Sequence, residues 1–322
     1  MKFALITDKS GMEPYYARKG KVYRFDNDEP FVHEHSIGNE CYMGFWNYPV
    51  LFDGWFLNYN YMKTMDEFPD IDLELIFLSH QRVNSPLPVS AIRKKYPNAI
   101  ICSITQETFI EDEVLYNNFK ECDIVLGCYS DVERYDHIMN RIPGKQMHWM
   151  PEPFNTTYLN DKFYTGEKDL SIFSYNIWYR PQRQGNTEQF AKYMGEKYNL
   201  PVSREWTGNR MKQWSDFLDM WTPHAFFFNL DPEPHPGDQC IQCAITGTIN
   251  IGGNNDSHKI LFPETSGNDF QKLEEKLNLY LTDPVAYHNA ITYAWEKVNE
   301  IYSFDAVRTR IINLVKDYKN SK

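Results

Sequence analysis

The segment covering residues 225–253 constrains the fold more than any other part of this 322-residue chain. Residues 225–228 are four consecutive apolar residues and predict a short buried strand. A loop with three prolines and a glycine follows, and proline extends neither a strand nor a helix interior. Helical spacing then begins at Asp238, Gly247 ends the helix, and residues 248–251 predict the next strand. The start of such a helix offers unpaired N–H groups and a positive dipole end, which suit a phosphate or a sugar hydroxyl.

The same alternation of strand and helix patterns runs through most of the chain. It predicts strands at 2–7, 73–78, 99–104, 123–127, 145–150, 170–174 and 202–205. It predicts helices at 88–96, 111–120, 130–139, 186–198, 211–221, 268–282, 284–300 and 304–319. Ser130, with Glu133 three residues later, is the expected N-cap of the third helix. Strands that alternate with helices indicate parallel sheets covered on both faces.

A polar segment at 152–166, rich in Asn, Asp, Lys, Thr and Gly, divides the pattern into two halves. We therefore expect an α/β protein of two Rossmann-like domains that face a cleft, and a cleft of this kind is the default ligand site. The expected boundaries are 1–155 for the first domain and 156–303 for the second. We expect the helix at 304–322 to pack back towards the first domain.

Composition and charge exclude some classes of function. Hydrophobic residues make up 42% and charged residues 24% of the chain, as in folded soluble proteins. The net charge of −11 argues against extended binding to nucleic-acid backbones, which requires a basic surface. The sequence has no apolar run of the ~20 residues that span a membrane, and the N-terminus reaches a charge too early for a signal peptide. We expect a cytoplasmic protein with reduced cysteines.

Two short motifs have alternative interpretations. Cys240 and Cys243 form a C-x-x-C pair, which is either a redox or half-zinc motif or two small buried residues of a helix. His33 and His35 have the two-residue spacing of metal ligands on a strand, but a third ligand is not evident nearby. Burial is the favoured interpretation of the cysteines, and we expect no metal site.

Several segments resemble motifs of one enzyme family, in the right order. Residues 150–159, MPEPFNTTYL, are similar to the strand-end segment IPNGVDTxxF. The loop that carries Arg180 and Arg183 before a helix is similar to GRLxxxKG, and residues 225–253 are similar to EGFGLVLLEAMACGTPVVA, with Gly247 and Thr248 on its Gly-Thr. Over residues 70–315 the chain resembles the retaining, nucleotide-sugar-dependent GT-B glycosyltransferases, also called glycosyl transferases group 1. The resemblance is one of order and spacing, since no single motif is intact.

The resemblance implies a hexosyltransferase-like enzyme with an acceptor-binding first domain and a donor-binding second domain. The donor would be a UDP- or GDP-sugar and the acceptor a carbohydrate or another hydroxyl compound. The family's chemistry retains the anomeric configuration, and the absence of an Asp-x-Asp motif where one is expected fits catalysis without metal. We expect no cofactor other than the donor substrate.

The resemblance also assigns roles to individual residues. Basic residues of the first loop hold the donor diphosphate, so Arg180 and Arg183 take that role. His80 and Glu233 are the catalytic candidates, because the family's histidine and first glutamate are displaced here by Thr105–Glu107 and Pro234. Gln242 stands at the position of the family's second glutamate, which in the family binds the ribose hydroxyls of the donor. The remaining donor-binding candidates follow from their places at strand ends, in the proline-rich loop and at the helix start: Gly11, Trp206, Gly208, His235, Gly237, Asp238 and Gln239. Core packing is the alternative for Trp206, and a structural role is the alternative for His80.

Other functions remain open at this stage. The lost glutamate and histidine are compatible with a catalytically inactive protein that binds sugar nucleotides or glycans on the same fold. A sugar-nucleotide epimerase is a further alternative. A modified base in DNA is a conceivable acceptor, against which the negative net charge argues.

Overall fold

The structure is a computed structural model that describes residues 1–7, 15–18, 21–24, 47–58, 68–80, 88–105, 113–164, 166–176, 186–206, 214–232 and 236–322. These residues form two compact units. The first consists of Met1–Phe154 and Phe304–Lys322, and the second of Asn155–Ser303.

A six-stranded parallel sheet lies at the centre of the first unit. Its strands are β1 (Phe3–Thr7), β4 (Trp55–Asn58), β5 (Leu75–His80), β6 (Ile100–Thr105), β7 (Ile124–Gly127) and β8 (Met147–Trp149). Between β1 and β4 in sequence lies a separate antiparallel hairpin of β2 (Tyr15–Arg18) and β3 (Lys21–Arg24). The order across the sheet is β4-β1-β5-β6-β7-β8. The helices of this unit are α1 (Val89–Lys95), α2 (Glu113–Glu121), α3 (Asp136–Met139) and α11 (Phe304–Asn320).

Both faces of the first sheet are buried, which explains its continuous apolar strands. Alternate strand residues, such as Ala4 and Ile6, pack with the residues of α1 and α2 in one core cluster. Their neighbours, such as Phe3 and Leu5, pack in a second cluster against α11, which contributes Val307, Ile311 and Val315. These three residues are four apart, so they lie on one stripe of the helix. The last helix therefore completes the core of the first unit.

A partly buried carboxylate fixes α11 to the sheet. Asp123, just before β7, accepts hydrogen bonds from the Tyr318 hydroxyl at 2.6 Å, the Arg93 guanidinium at 3.0 Å and the Ile101 N–H at 2.9 Å. Partial burial acts to raise the pKa of Asp123, but these hydrogen bonds outweigh it and leave the pKa below its usual value. Where the chain leaves the first unit and re-enters it, the Phe304 N–H donates to the Phe154 carbonyl at 3.1 Å.

The second unit contains a four-stranded parallel sheet in the order β10-β9-β11-β12. Its strands are β9 (Asp169–Asn176), β10 (Val202–Trp206), β11 (His224–Phe228) and β12 (Ile249–Ile251). Its helices are α4 (Thr156–Phe163), α5 (Thr187–Tyr198), α6 (Trp214–Trp221), α7 (Asp238–Thr246), α8 (Asp256–Leu261), α9 (Phe270–Thr282) and α10 (Pro284–Ile301). Residues 225–228 of β11 are fully buried, as their apolar run predicts.

One predicted helix needs correction, and another helix was not predicted. The helix predicted over 130–139 is a 3-10 turn at Val132–Tyr135 followed by the short α3, and the residue that precedes the turn is Asp131, so Ser130 is not an N-cap. The polar segment at 152–166 contains a helix, α4, whose N-cap Asn155 accepts from the Tyr158 N–H at 3.2 Å. The sequence of α4 is mostly polar because only one side of this helix is buried, and for that reason the helix was not predicted.

Among the helices that the structure describes, none combines the length and apolar character needed to cross a bilayer.

The core position of α11 leads to a test with two neighbouring isoleucines. Ile311 is fully buried, whereas Ile312 is 46% exposed. Ile311→Ala removes buried aliphatic volume and should lower the free energy of unfolding by about 2–5 kcal/mol. Ile312→Ala should change it by less than about 0.5 kcal/mol. Urea unfolding of both variants measures the difference, and equal effects would contradict the described packing of α11.

Candidate functional site

The carboxyl edge of the second sheet has the topology of a ligand site. β9 and β11 are neighbours, with Phe228 opposite Ser174, although α5, β10 and α6 lie between them in sequence. The chain leaves β9 towards β10 on one side and reaches β12 from β11 on the other. In open α/β sheets, ligands bind outside the carboxyl ends of strands at such a reversal. The loop after β11 leads from this edge to the start of α7.

The residue before α7 must be glycine for two reasons. Gly237 has φ +96°, in the region that residues with a side chain rarely adopt. A Cβ atom here would also lie 2.4 Å from both Asn255 Oδ1 and Ser257 Oγ, far inside van der Waals contact. The backbone of Gly237 is therefore held against the start of α8.

Hydrogen bonds join the starts of α7 and α8. The Ser257 hydroxyl donates to the Gly237 carbonyl at 2.8 Å, and the Ser257 N–H donates to the Pro236 carbonyl at 3.1 Å. Asn255 is the N-cap of α8, where its Oδ1 accepts from the His258 N–H at 2.9 Å. Two helix starts thus occupy one small region beside the sheet edge.

The loop that leaves β11 is tied on two sides. The Leu230 N–H donates to Thr187 Oγ1 in the first turn of α5 at 2.9 Å. The Asn254 N–H donates to the Asp231 carbonyl at 3.0 Å. Gly253, with φ +98°, fits beside this loop because a Cβ there would lie 2.5 Å from the Asn229 carbonyl oxygen. These two hydrogen bonds and the close approach of Gly253 position the start of the loop in which the sequence predicts ligand contacts.

Asp238 and Gln239 are the first two residues of α7 and are partly exposed. Their N–H groups have no acceptor within the helix, as at every helix start. Within the described residues they make no hydrogen bond to another backbone carbonyl. The helix dipole adds a partial positive charge at this point. The start of α7 can therefore bind an anion or the oxygen of a hydroxyl group.

His258 positions the turn after β12. Its Nε2 lies 3.1 Å from the Asn250 carbonyl and 3.3 Å from Thr265 Oγ1. Complete burial lowers the pKa of His258 to about 4, because a charged imidazolium there would lose its hydration. The neutral ring connects α8 to β12, and this connection places Asn255 and Ser257 beside Gly237.

Three further side chains of α7 are buried in the second unit. Gln242 is 1% exposed. Burial raises the pKa of the Cys240 thiol to about 12 and that of the Cys243 thiol well above its usual value. Both cysteines are free. The interpretation of the C-x-x-C pair as small buried helix residues is confirmed.

Solved structures with a similar fold are numerous. HepE from Anabaena, solved in complex with UDP, matches with a TM-score of 0.57 at 8% identity, over 98% of this chain and 100% of that one. Sucrose-phosphate synthase from Thermosynechococcus elongatus matches with a TM-score of 0.53 at 12% identity, over 100% of both chains. An alpha-glucosyltransferase in complex with UDP and a 13-mer DNA containing a HMU base matches with a TM-score of 0.57 at 10% identity, over 98% and 99%.

The chain has the GT-B fold. At these identities the likeness establishes the fold alone, and it confirms the α/β class and the GT-B architecture predicted from the sequence. No protein-family model matches the chain, and no curated protein matches its sequence.

The structure brings together only some of the residues predicted for a GT-B donor site. Gly237, Asp238 and Gln239 lie at the start of α7, and Gln242 lies one turn further along that helix. The backbones of Trp206, at the end of β10, and His80, at the end of β5, lie at the carboxyl edges of their sheets, but their side chains are outside the described part of the chain. The remaining candidates also lie outside the described residues: Gly11, Arg180, Arg183, Gly208, Glu233 and His235.

Sequence reasoning missed the residues that hold the site in shape. Thr187, Asn255, Ser257 and His258 received no role, and α8 was not predicted. A signal was present, because Asn255 lies two residues after Gly253 and is of a residue type that favours the N-cap of a helix. Six helical residues are too few for periodicity to reveal, so only the cap marks this element.

Gly237 and Gly267 have nearly the same φ angle, so alanine substitutions at the two positions distinguish backbone strain from steric clash. Gly237→Ala introduces φ strain of about 1–2 kcal/mol and a clash with Asn255 and Ser257. Gly267→Ala has the same strain, at φ +95°, but its Cβ has nothing within 4 Å. Gly237→Ala should therefore lower the melting temperature more than Gly267→Ala. Equal decreases would contradict the close approach of the two helix starts.

The buried imidazole predicts a pH dependence of stability. Because the folded pKa of His258 is about 4 and its usual value is 6.5, the unfolded chain takes up a proton first as the pH falls. The stability that the neutral His258 ring contributes is fully present above pH 6.5. It is lost as the pH falls towards 4, and the free energy of unfolding decreases by roughly 3 kcal/mol in total.

Urea unfolding of His258→Gln between these pH values should therefore show a shallower decline in stability than the parent protein. The control is His288→Gln, at an exposed position on α10, which should keep the parent slope. Parallel profiles for the parent protein and His258→Gln would show that the ring is charged in the fold or does not matter for its stability.

Proposed function

We propose that this chain is a glycosyltransferase that moves a sugar from a nucleotide-diphosphate sugar to a hydroxyl acceptor. The observation that supports this most is the start of α7, a glycine-led helix N-terminus at the topological reversal of the second sheet. The GT-B fold supports it further, because solved neighbours with this fold include alpha-glucosyltransferase in complex with UDP-glucose or UDP and HepE in complex with UDP.

The chemistry requires stabilisation of the leaving diphosphate. Negative charge builds up on the diphosphate as the glycosidic bond breaks, and fixed N–H dipoles can compensate it without reorganising. In the proposal the N–H groups of Asp238 and Gln239 supply part of this compensation. Arg180 and Arg183, between β9 and α5 in sequence, supply the rest through charge-assisted hydrogen bonds.

The carboxylate of Asp238 limits how the donor can bind. A negative side chain in the first turn of α7 competes with an anion for the helix dipole. A carboxylate instead accepts hydrogen bonds from sugar hydroxyls. We therefore place the transferred sugar near the Asp238 side chain and the diphosphate at the backbone of the same turn.

The finer features of the reaction rest on the family resemblance. They are retention of the anomeric configuration, catalysis without metal or cofactor, and a UDP- or GDP-linked donor. His80 and Glu233 are the proposed catalytic residues, and Gln242 is proposed to hydrogen bond with the donor ribose through its amide. The proposed acceptor is a carbohydrate or another hydroxyl compound, and the net charge of −11 argues against DNA.

Incubation with UDP- and GDP-sugars tests the proposal, with released nucleotide and transferred sugar measured against a panel of carbohydrate acceptors. The proposal predicts that one donor raises the melting temperature and that its sugar appears on an acceptor. Stabilisation by a donor without hydrolysis or transfer would favour a catalytically inactive binding protein. Conversion of the donor sugar without any acceptor would favour an epimerase.

The diphosphate role predicts the effect of removing two arginines. Arg180→Ala with Arg183→Ala should weaken donor binding at least tenfold, a loss of about 1.4 kcal/mol or more, measured by titration calorimetry. Lys192→Ala with Lys259→Ala removes the same charge from exposed positions on α5 and α8 and serves as the control. Equal affinities for the two double variants would exclude the arginines from the site.

A further inference from the structure

A concavity in the second unit lies between the end of α8 and the hairpin of α9 and α10. Its volume is about 400 Å³. The aromatic residues Phe262, Tyr280 and Tyr293 line it together with Leu261 and Leu279. This volume is in the range of about 300–1,000 Å³ that is usual for small-molecule sites. All residues from Leu261 to Tyr293 belong to the described part of the chain.

The sequence explains why this space is open. Asp283 ends α9 and caps α10, where its Oδ1 accepts from the N–H groups of Val285 and Ala286, so the two helices form a tight hairpin. Ala286 and Ala290 are one turn apart on α10 and both line the concavity. Two side chains of this size leave a recess between the larger aromatic residues.

The polar groups around the recess favour a neutral ligand. Glu264 and Lys276 both line it and pair with each other, so their charges cancel. Asn289 adds a planar amide with donors and an acceptor. Burial raises the pKa of Tyr280 to about 12, so its hydroxyl stays neutral at physiological pH. A neutral polyol can hydrogen bond to the paired groups without adding a charge to the recess.

We propose that this recess binds a neutral carbohydrate of one or two pyranose rings, at a site separate from the carboxyl edge of the sheet. The C–H groups of a pyranose ring carry partial positive charge and suit the negative face of an aromatic ring such as that of Tyr293, which is 41% exposed. Its hydroxyls suit Asn289 and the Glu264–Lys276 pair. The site does not depend on the proposed transfer activity, because it shares no lining residue with the start of α7.

Saturation-transfer NMR with glucose, galactose, N-acetylglucosamine and maltose tests the site, with cyclohexanol as an apolar probe. At least one of the four sugars should bind to the full-length protein. Ala290→Leu fills the recess and should weaken this binding at least tenfold. Tyr293→Ala, at a position 41% exposed and therefore safe for folding, should do the same. The control is Tyr193→Ala on α5, 48% exposed, which should leave sugar binding unchanged.

Three results would overturn the proposal. One is the absence of binding by all four sugars at millimolar concentration. Another is cyclohexanol binding that Ala290→Leu abolishes while no sugar binds, which would make the recess an apolar site. The third is sugar binding that survives both variants and is displaced by UDP, which would assign the sugar to the donor edge.

Discussion

The hydrogen bond from the Ser257 hydroxyl to the Gly237 carbonyl holds two helix starts at one edge of the second sheet. α7 follows β11 and α8 follows β12, and these strands are neighbours. The loop before α7 is also joined to the segment that leads into α8 by the bond from the Ser257 N–H to the Pro236 carbonyl and by the bond from the Asn254 N–H to the Asp231 carbonyl. The helix dipole and the free N–H groups of α7 act at a defined place only while this backbone is fixed. The proposed donor site therefore depends on a contact between two loops, supported by the buried ring of His258.

The core of the first unit depends on the helix α11. Its sheet needs apolar cover on both faces, and one of these covers is the last helix of the chain. Asp123 receives three hydrogen bonds, one of them from Tyr318 near the end of α11. The second unit is therefore an insertion between segments of the first, and residues far apart in sequence complete one core. Contacts between α11 and strands more than 150 residues earlier in the chain are therefore part of this core, and contacts of such long range slow folding.

Much of the fold could be predicted because burial leaves a pattern in the sequence. Fully buried parallel strands such as β6 and β11 are short runs of apolar residues between turns, and long helices such as α10 show clear periodicity. The helix predicted at 130–139 was wrong because a cap-like Ser130 does not ensure that the next residues continue in α-helical geometry. Short elements such as α8 lack enough residues for periodicity. Their positions follow from caps and tertiary hydrogen bonds instead.

The start of α7 was predictable from the sequence, but the residues that hold it in place were not. Gly237 and the start of α7 could be found because a proline-rich loop before a helix has few structural interpretations. Asn255 and Ser257 reach Gly237 only through tertiary packing, which spacing in sequence does not encode. In the sequence resemblance Gln242 stands at the position of a glutamate, and the proposed role of Gln242 depends on a ligand that the sequence does not identify.

The most direct measurement of the central claim is a crystal structure of the protein with UDP bound. The account predicts a phosphate oxygen within about 2.7–3.2 Å of the N–H of Asp238 or Gln239, at the carboxyl edge of the second sheet. It also predicts that the Gly237–Ser257 hydrogen bond persists. UDP bound elsewhere, with the start of α7 free of phosphate, would contradict the assignment of this edge as the donor site.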